Sequence, residues 1–588
     1  MKKWFHSLLL WRLQHVSDRG FLLILSVLIG FLAGLTAGAL KTGVFYMHKL
    51  FQNELHFDSR NYRFFLYPFI GITATLLFRE FVLKDHIGHN ISSILHAIAK
   101  RNSIMRLHKV YSSVTGAILT AGFGGSIGLE APIISSGSAI GSNIAKVCRL
   151  NYKSITTLLG CGAAGGIAAI FNTPIAGIVF ALEVLLLDLT RFSLIPLLMA
   201  SVSGAITSKL FFSDKIFFDF ITAQPFMVQH IHYYILLGIL AGLVSVYFTK
   251  VFLWFESIFE TIRSRVSRLF IGTFLLGLLL FIFPALYGEG YELIKAMLSG
   301  QALAIFADSA FSSWMDSVWA MTGFLLAMMM LKVFATSFTI GAGGIGGIFA
   351  PSLFTGAILG FLFAYTNNYI SPVTLNNNNF ALVGMASVLG GVLNAPLTGI
   401  FLIAELTHGY ELIVPLMLAT TLSFVVSKYL SPNNIVTAQL VKRGEIITHH
   451  KDKAVLHFLK LKTMVETDFF PIYEEATLEG LVKAISLTTR NIFPVINQEG
   501  MLMGIILLDD VREIMFNTNY YSTSIVNLMH LPPTIINIDE DMEQVMHKFK
   551  ETDAWNLPVC ENGRYIGFVS KSKLFSAYRS KLIDITEE

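Results

Sequence analysis

Runs of apolar residues long enough to cross a hydrocarbon core of about 30 Å recur through the first 440 positions of the chain. The clearest lie at 21–50, 62–83, 154–187, 232–255, 268–287, 317–340 and 378–406, with shorter glycine-broken segments between them. Past residue 440 the pattern changes. VKRGEIITHHKDK is polar and charged, and short strand-like runs, glycine turns and helical periods follow it. The pattern predicts an all-α polytopic membrane domain over 21–440, a linker over 441–459 and a cytosolic α/β region in two copies, 460–518 and 522–583. Residues 1–20 read as an amphipathic helix on the cytoplasmic face, with Lys2, Lys3 and Arg12 on its basic side. Both chain ends are then expected in the cytoplasm.

The membrane domain repeats itself. GGSIGLEAPIISSGSAIG (124–141) matches GGIGGIFAPSLFTGAILG (343–360) without gaps, and CGAAGGIAAIFNTPIAGIVFALEVL (161–185) matches VGMASVLGGVLNAPLTGIFLIAELT (383–407). The offset is nearly the same in both pairs, so the domain is two halves, about 21–225 and 226–440. Repeated halves with Gly/Pro-broken apolar segments at matching positions point to a transport site near the middle of the membrane. Small residues that let helices pack closely explain most of the shared glycines. They do not explain Glu130.

Glu130 is the one carboxylate in its segment, and its place in the second copy is taken by Phe349. The scaffold therefore does not require an acid there, and an ionisable residue inside a membrane is a functional candidate by default. Pro132, two residues on, suits the first turn of a helix. An acid at a helix N-terminus is favoured by the dipole and competes with free anions for the same N–H groups.

Composition sharpens the class without changing it. Hydrophobic residues make up 54% and charged residues 14%, with 49 phenylalanines, and the mean hydropathy is +0.62; these values suit a membrane protein. The net charge of +4 says little about partners, and no nucleic acid is expected. Cys148, Cys161 and Cys560 are too scattered for a disulfide framework or a metal site. No phosphate loop, nucleophile elbow or metal-ligand spacing is present, so neither an enzyme nor a required cofactor is indicated. A cation transporter would need clustered carboxylates, whereas Glu130, Glu183 and Glu405 are isolated among glycine-rich N–H cradles.

GLEAP at 128–132, GGIFAP at 346–351 and FNTPIAGIVFALEV between them resemble the signatures of the CLC family of chloride channels and chloride/proton antiporters. The resemblance implies a homodimer with one pore per subunit and two inverted-topology repeats in each subunit. It implies chloride, and other small monovalent anions, as the cargo. Helix N-termini would converge on dehydrated anions: a central site on the N–H groups of Ile348 and Phe349, and an outer site on those of Leu129, Glu130 and Ala131. Glu130 then corresponds to the gating and proton-accepting carboxylate. The physics agrees, because backbone dipoles hold an anion weakly enough to release it.

Several positions depart from the family pattern. The serine motif of the central site best matches GHNIS at Gly88–Ser92, which puts His89 in place of the serine with Asn90 beside it. Protonation of His89 between roughly pH 5 and 8 would raise anion occupancy at the inner mouth. The tyrosine of the last membrane helix falls at Val436. The inner proton-transfer glutamate of the antiporters is replaced by Val184, while Glu183 reads as structural because its repeat mate Glu405 holds the same place. Val184 favours a passive chloride channel over an antiporter with an atypical inner proton path.

FPVINQEGMLMGIILLDDVREIM (493–515) and LPVCENGRYIGFVSKSKLFSAY (557–578) resemble a pair of CBS domains. That resemblance implies an adenine nucleotide site, for which each copy keeps half of the pattern: Asp510 in the first and Ser570 in the second. The expected location is a bacterial inner (plasma) membrane.

Overall fold

The computed structural model describes residues 15–52, 63–83, 91–185, 191–212, 225–299, 317–442 and 461–577. Of the expected amphipathic segment 1–20 only 15–20 are described, with α1 already under way at Asp18, and of the linker 441–459 only 441 and 442. The chain divides into two compact units, 1–445 and 446–588.

Among the described residues, the regular elements of the first unit are helices. Its elements are α1 (Asp18–Gln52), α2 (Arg63–Leu77), α3 (Ile91–Lys100), α4 (Lys109–Gly122), α5 (Glu130–Val147), α6 (Tyr152–Phe171), α7 (Pro174–Glu183) and α8 (Arg191–Phe211). There follow α9 (Ile231–Thr261), α10 (Arg265–Ile282), α11 (Tyr291–Leu298), α12 (Val318–Gly341), α13 (Phe349–Ile370), α14 (Asn377–Leu393), α15 (Pro396–Leu406), α16 (Ile413–Leu430) and α17 (Ile435–Lys442). Among the described residues, nine helical stretches are long and apolar enough to cross a membrane, and the protein is an integral membrane protein.

Two of the expected spans are not single helices. The run 154–187 divides into α6 and α7, and the run 378–406 into α14 and α15. Asn172 (φ 58°) and Asn394 (φ 56°) end the first helix of each pair in the left-handed conformation, which asparagine tolerates better than most residues. Pro174 and Pro396 then start the next helix, where a missing N–H costs nothing. Helices of 10 and 11 residues rise only about 15 Å, half of a membrane. The continuous apolar pattern hid the break because both pieces are buried in protein.

Glycine sets the packing between repeat elements. A Cβ on Gly137 would collide with the Gly162 carbonyl, and one on Gly356 with the Gly384 carbonyl. The pairs α5–α6 and α13–α14 therefore touch backbone to backbone, the small-residue mode of membrane helix packing.

The second unit holds two three-stranded sheets. In the first, β1 (Ile472–Tyr473) runs parallel to β2 (Ile492–Ile496), which turns through Gly500 (φ 81°) into antiparallel β3 (Leu502–Leu507). In the second, β4 (Ile536–Asn537), β5 (Asn556–Glu561) and β6 (Arg564–Ser570) repeat the order through Gly563 (φ 82°). Helices α18 (Leu478–Leu487) and α19 (Met542–Thr552) complete the copies. The cores do not follow the division at 518/522 expected from sequence. Ile525, Leu528 and Met529 pack in the first core with Phe493 and Ile506, while Leu461, Met464 and Val465 pack in the second with Leu557 and Val569.

Candidate functional site

The two repeats meet at a pair of glycines. Gly128 and Gly347 exchange backbone hydrogen bonds, N–H to C=O at 2.8 Å in each direction, as a single antiparallel bridge. Each lies two residues before a helix, α5 or α13, and Gly124 (φ 91°) and Gly343 (φ 107°) turn the chain into the bridge, a conformation that a Cβ would strain. The N-termini of α5 and α13 are thus held face to face. Their first N–H groups have no acceptor within their own helices.

Glu130 opens α5 and is 1% exposed. Its side chain crosses to the other repeat. Oε1 accepts a hydrogen bond of 2.8 Å from the Tyr291 hydroxyl at the start of α11. Oε2, sealed from solvent, faces the backbone N–H of Ala350 in the first turn of α13. A Cβ on Gly128 would strike this oxygen. The carboxylate therefore lies at the N-terminal end of α13, against the N–H of Ala350.

A cavity of about 30 Å³, roughly the space of one water, lies against the carboxylate. Its wall brings together Glu130, Ala131, Ile348, Phe349, Val436 and Gln439. Leu129 is buried beside it as the N-cap of α5. His89 and Asn90 lie outside the described residues, but the next residue of their segment, Ile91, is on the cavity wall. Val184 is the residue just after α7, its C-cap, and is not on that wall.

Glu183 and Glu405 hold the halves together reciprocally. Glu183 accepts from Leu397 N (3.1 Å), Thr398 N (2.8 Å) and the Thr398 hydroxyl (2.8 Å) at the start of α15. Glu405 accepts from Ile175 N (3.0 Å) and Ala176 N (2.8 Å) at the start of α7. Each carboxylate caps the partner helix and is favoured there by its dipole.

Two contributors were not singled out from sequence. Tyr291 reaches the site from the loop after α10. Lys332, 0% exposed, does not touch the cavity; its Nζ donates to the carbonyls of Leu286 (3.2 Å) and Gly288 (3.0 Å) and lies 4.8 Å from the centre of the Phe354 ring. It fixes the loop that delivers Tyr291. The motif GEGY at 288–291 and the lone lysine within an apolar run were the available signals.

The family model described as "Voltage gated chloride channel" matches residues 70–428. The chain belongs to this CLC family. The model for the CBS domain matches 525–580, and the second unit is a CBS pair. The chain is 28% identical over 446 residues to the H(+)/Cl(-) exchange transporter ClcA of Vibrio vulnificus, covering 73% of this chain and 91% of that protein. It is 28% identical over 374 residues to a putative chloride channel protein, ClcB-like, of Ralstonia nicotianae, covering 61% and 81%. A CLC-type fluoride/proton antiporter of known structure is 25% identical, with a TM-score of 0.58, covering 71% of this chain and 97% of the other.

In the CBS pair, both expected nucleotide residues are engaged locally. Asp510 accepts from Leu507 N at 3.1 Å and lies 3.4 Å from His530. The Ser570 hydroxyl donates to Glu466 at 2.6 Å and accepts from Lys573 N at 3.2 Å, as a helix N-cap does. Glu466 also pairs with Arg490 at 2.7 Å.

Proposed function

We propose that this CLC protein exchanges chloride for protons, with Glu130 serving both ions in turn. The observation that carries the reading is the Glu130 carboxylate lodged at the N-terminus of α13, where a chloride would find the same N–H groups. Ionised, the carboxylate occupies the anion's place. When chloride takes that place, the displaced side chain has lost the N–H groups and dipole that solvated its charge, and it moves as the neutral acid. One group then alternates between blocking chloride and carrying a proton. The Vibrio vulnificus relative, an H(+)/Cl(-) exchange transporter by name, supports exchange. In this reading the unit is a homodimer with one pore per subunit, and the CBS pair faces the cytoplasm of a bacterial inner membrane.

A passive channel is the second reading, and Val184 favours it, because valine holds no proton where antiporters of the family carry a glutamate. Proteoliposomes loaded with high chloride and diluted into low chloride separate the two, with valinomycin releasing the potential. Chloride efflux with stoichiometric proton uptake, abolished by Glu130→Ala, is the expected result. Efflux without proton uptake overturns exchange in favour of a channel.

A further inference from the structure

Glu130 is the one ionisable side chain on the cavity wall among the described residues. A proton arriving from the other end of the cavity needs a second titratable group near that wall, because proton relays in membranes run through ionisable side chains and water. Besides Glu130, the wall holds one polar side chain, Gln439 of α17, 7% exposed. Its amide nitrogen donates to Glu256 Oε1 at 2.7 Å. Glu256 stands one helical turn beyond Phe252 on α9, and Phe252 is itself on the cavity wall. Glu256 Oε2 is sealed from solvent. Gln439 lies in the last turn of α17, at the end from which the chain leaves the membrane unit.

We propose that Glu256 is the inner proton carrier of this transporter, coupled to the cavity through Gln439, in a position different from Val184. The inference rests on the exchange reading. Gln439 suits the task because an amide serves both states of a carboxyl group: its NH2 donates to the carboxylate, and its carbonyl accepts from the acid. Glu256 takes a proton from water on its own side of the membrane. It passes that proton to cavity water, which passes one on to the Glu130 carboxylate. Glu130 becomes neutral, Glu256 returns to its ionised form, and no other atom changes hands. Nearby ionisable residues on α9 are Lys250 and Glu260. Elements packed against α9 carry Lys332 on α12, Tyr365 on α13, Lys428 and Tyr429 on α16 and Lys442 on α17. Lys332 is committed to the Leu286 and Gly288 carbonyls.

The test is chloride-driven proton uptake by the full-length protein in liposomes, measured for wild type, Glu256→Gln, Glu256→Asp and Gln439→Leu. In Glu256→Gln, proton uptake is expected to fall by about a hundredfold, the lower end of what a positioned proton-transfer group contributes, with protons moved per chloride falling too. Glu256→Asp is expected to restore measurable coupling, which a purely structural carboxylate would not predict. Gln439→Leu, an apolar replacement of similar size, is expected to slow uptake and provides the reading if Glu256→Gln does not fold. Coupled exchange that survives both Glu256→Gln and Gln439→Leu overturns the carrier and leaves the exchange reading standing. A wild type that moves no protons overturns both.

Discussion

The Tyr291 hydroxyl donates to Glu130 Oε1 at 2.8 Å, joining residues 161 positions apart in the chain inside a site closed to solvent. A hydrogen bond to an ionised acceptor contributes about 1.5–3 kcal/mol. In the exchange reading proposed above it acts only while the carboxylate lies at α13, so it would stabilise the blocked state against the chloride-bound one.

On that reading, Tyr291→Phe is expected to release the gate. The ring keeps its packing against Phe171, whose centroid is 6.5 Å away, and only the hydroxyl is lost. Apparent chloride affinity should rise by about tenfold or more, following from the hydrogen-bond energy above. Calorimetric titration of chloride into detergent-solubilised wild type and variant checks this. Equal affinities would mean that the hydroxyl does not discriminate between the two states.

Lys332 acts on the same gate at one remove. Lys332→Met keeps most of the side-chain volume but leaves the Leu286 and Gly288 carbonyls without their buried donor, a loss of about 1–3 kcal/mol each at most. Thermal unfolding in detergent should shift down by several degrees, and chloride affinity should move in the same direction as in Tyr291→Phe, because the loop no longer holds the hydroxyl in place. A lowered melting temperature with unchanged chloride affinity would separate loop stability from gating.

What was legible in the sequence is what local backbone chemistry encodes. The glycine turns before α5 and α13 and the small residues on α5, α6, α13 and α14 each require particular residue types, so the duplication shows without a structure, whereas the breaks at Asn172–Pro174 and Asn394–Pro396 lay hidden inside continuous apolar runs. Glu130 stood out by its own chemistry, while Ile348, Phe349 and Val436 came from the family resemblance, and all four lie on one cavity wall. Tyr291, Lys332 and Gln439 were not legible in the same way. Their partners lie 161, 44 to 46 and 183 positions away, and nothing in their local sequence names the partner. Glu256 illustrates the difficulty. The apolar run ends at 255, just before this charge, yet α9 continues to Thr261 and carries the carboxylate to Gln439, whose side chain is on the cavity wall.

In the CBS pair, Asp468 is bonded to Arg490 at 2.6 Å, and the guanidinium holds its carboxyl below the ordinary carboxylate value. A carboxyl with a depressed folded-state value contributes stability above its unfolded value of about 3.9 and loses it as pH falls through the folded value. Unfolding of the tail should therefore become easier below about pH 4, and Asp468→Asn should flatten that part of the profile while leaving neutral-pH stability little changed, as for other exposed pairs. A pH series of thermal unfolding on the full-length protein measures it. The same acid slope in both proteins would remove Asp468 as a contributor.

The reciprocal capping by Glu183 and Glu405 separates a structural carboxylate from a proton carrier. Glu183 accepts three hydrogen bonds from Leu397 and Thr398, so Glu183→Gln removes the charge and matches only part of the donor set. Loss of a charged acceptor facing helix N–H groups costs about 1–3 kcal/mol. Glu405→Gln should cost a similar amount, since it loses the equivalent bonds to Ile175 and Ala176. Because both act across one interface between α7 and α15, the double variant should depart from the sum of the singles, as coupled neighbouring sites do. Both single variants should unfold at lower temperature while moving the same number of protons per chloride as wild type. If Glu183→Gln instead keeps its melting temperature and loses proton coupling, the inner proton path runs through Glu183, and Glu256 is not needed for it.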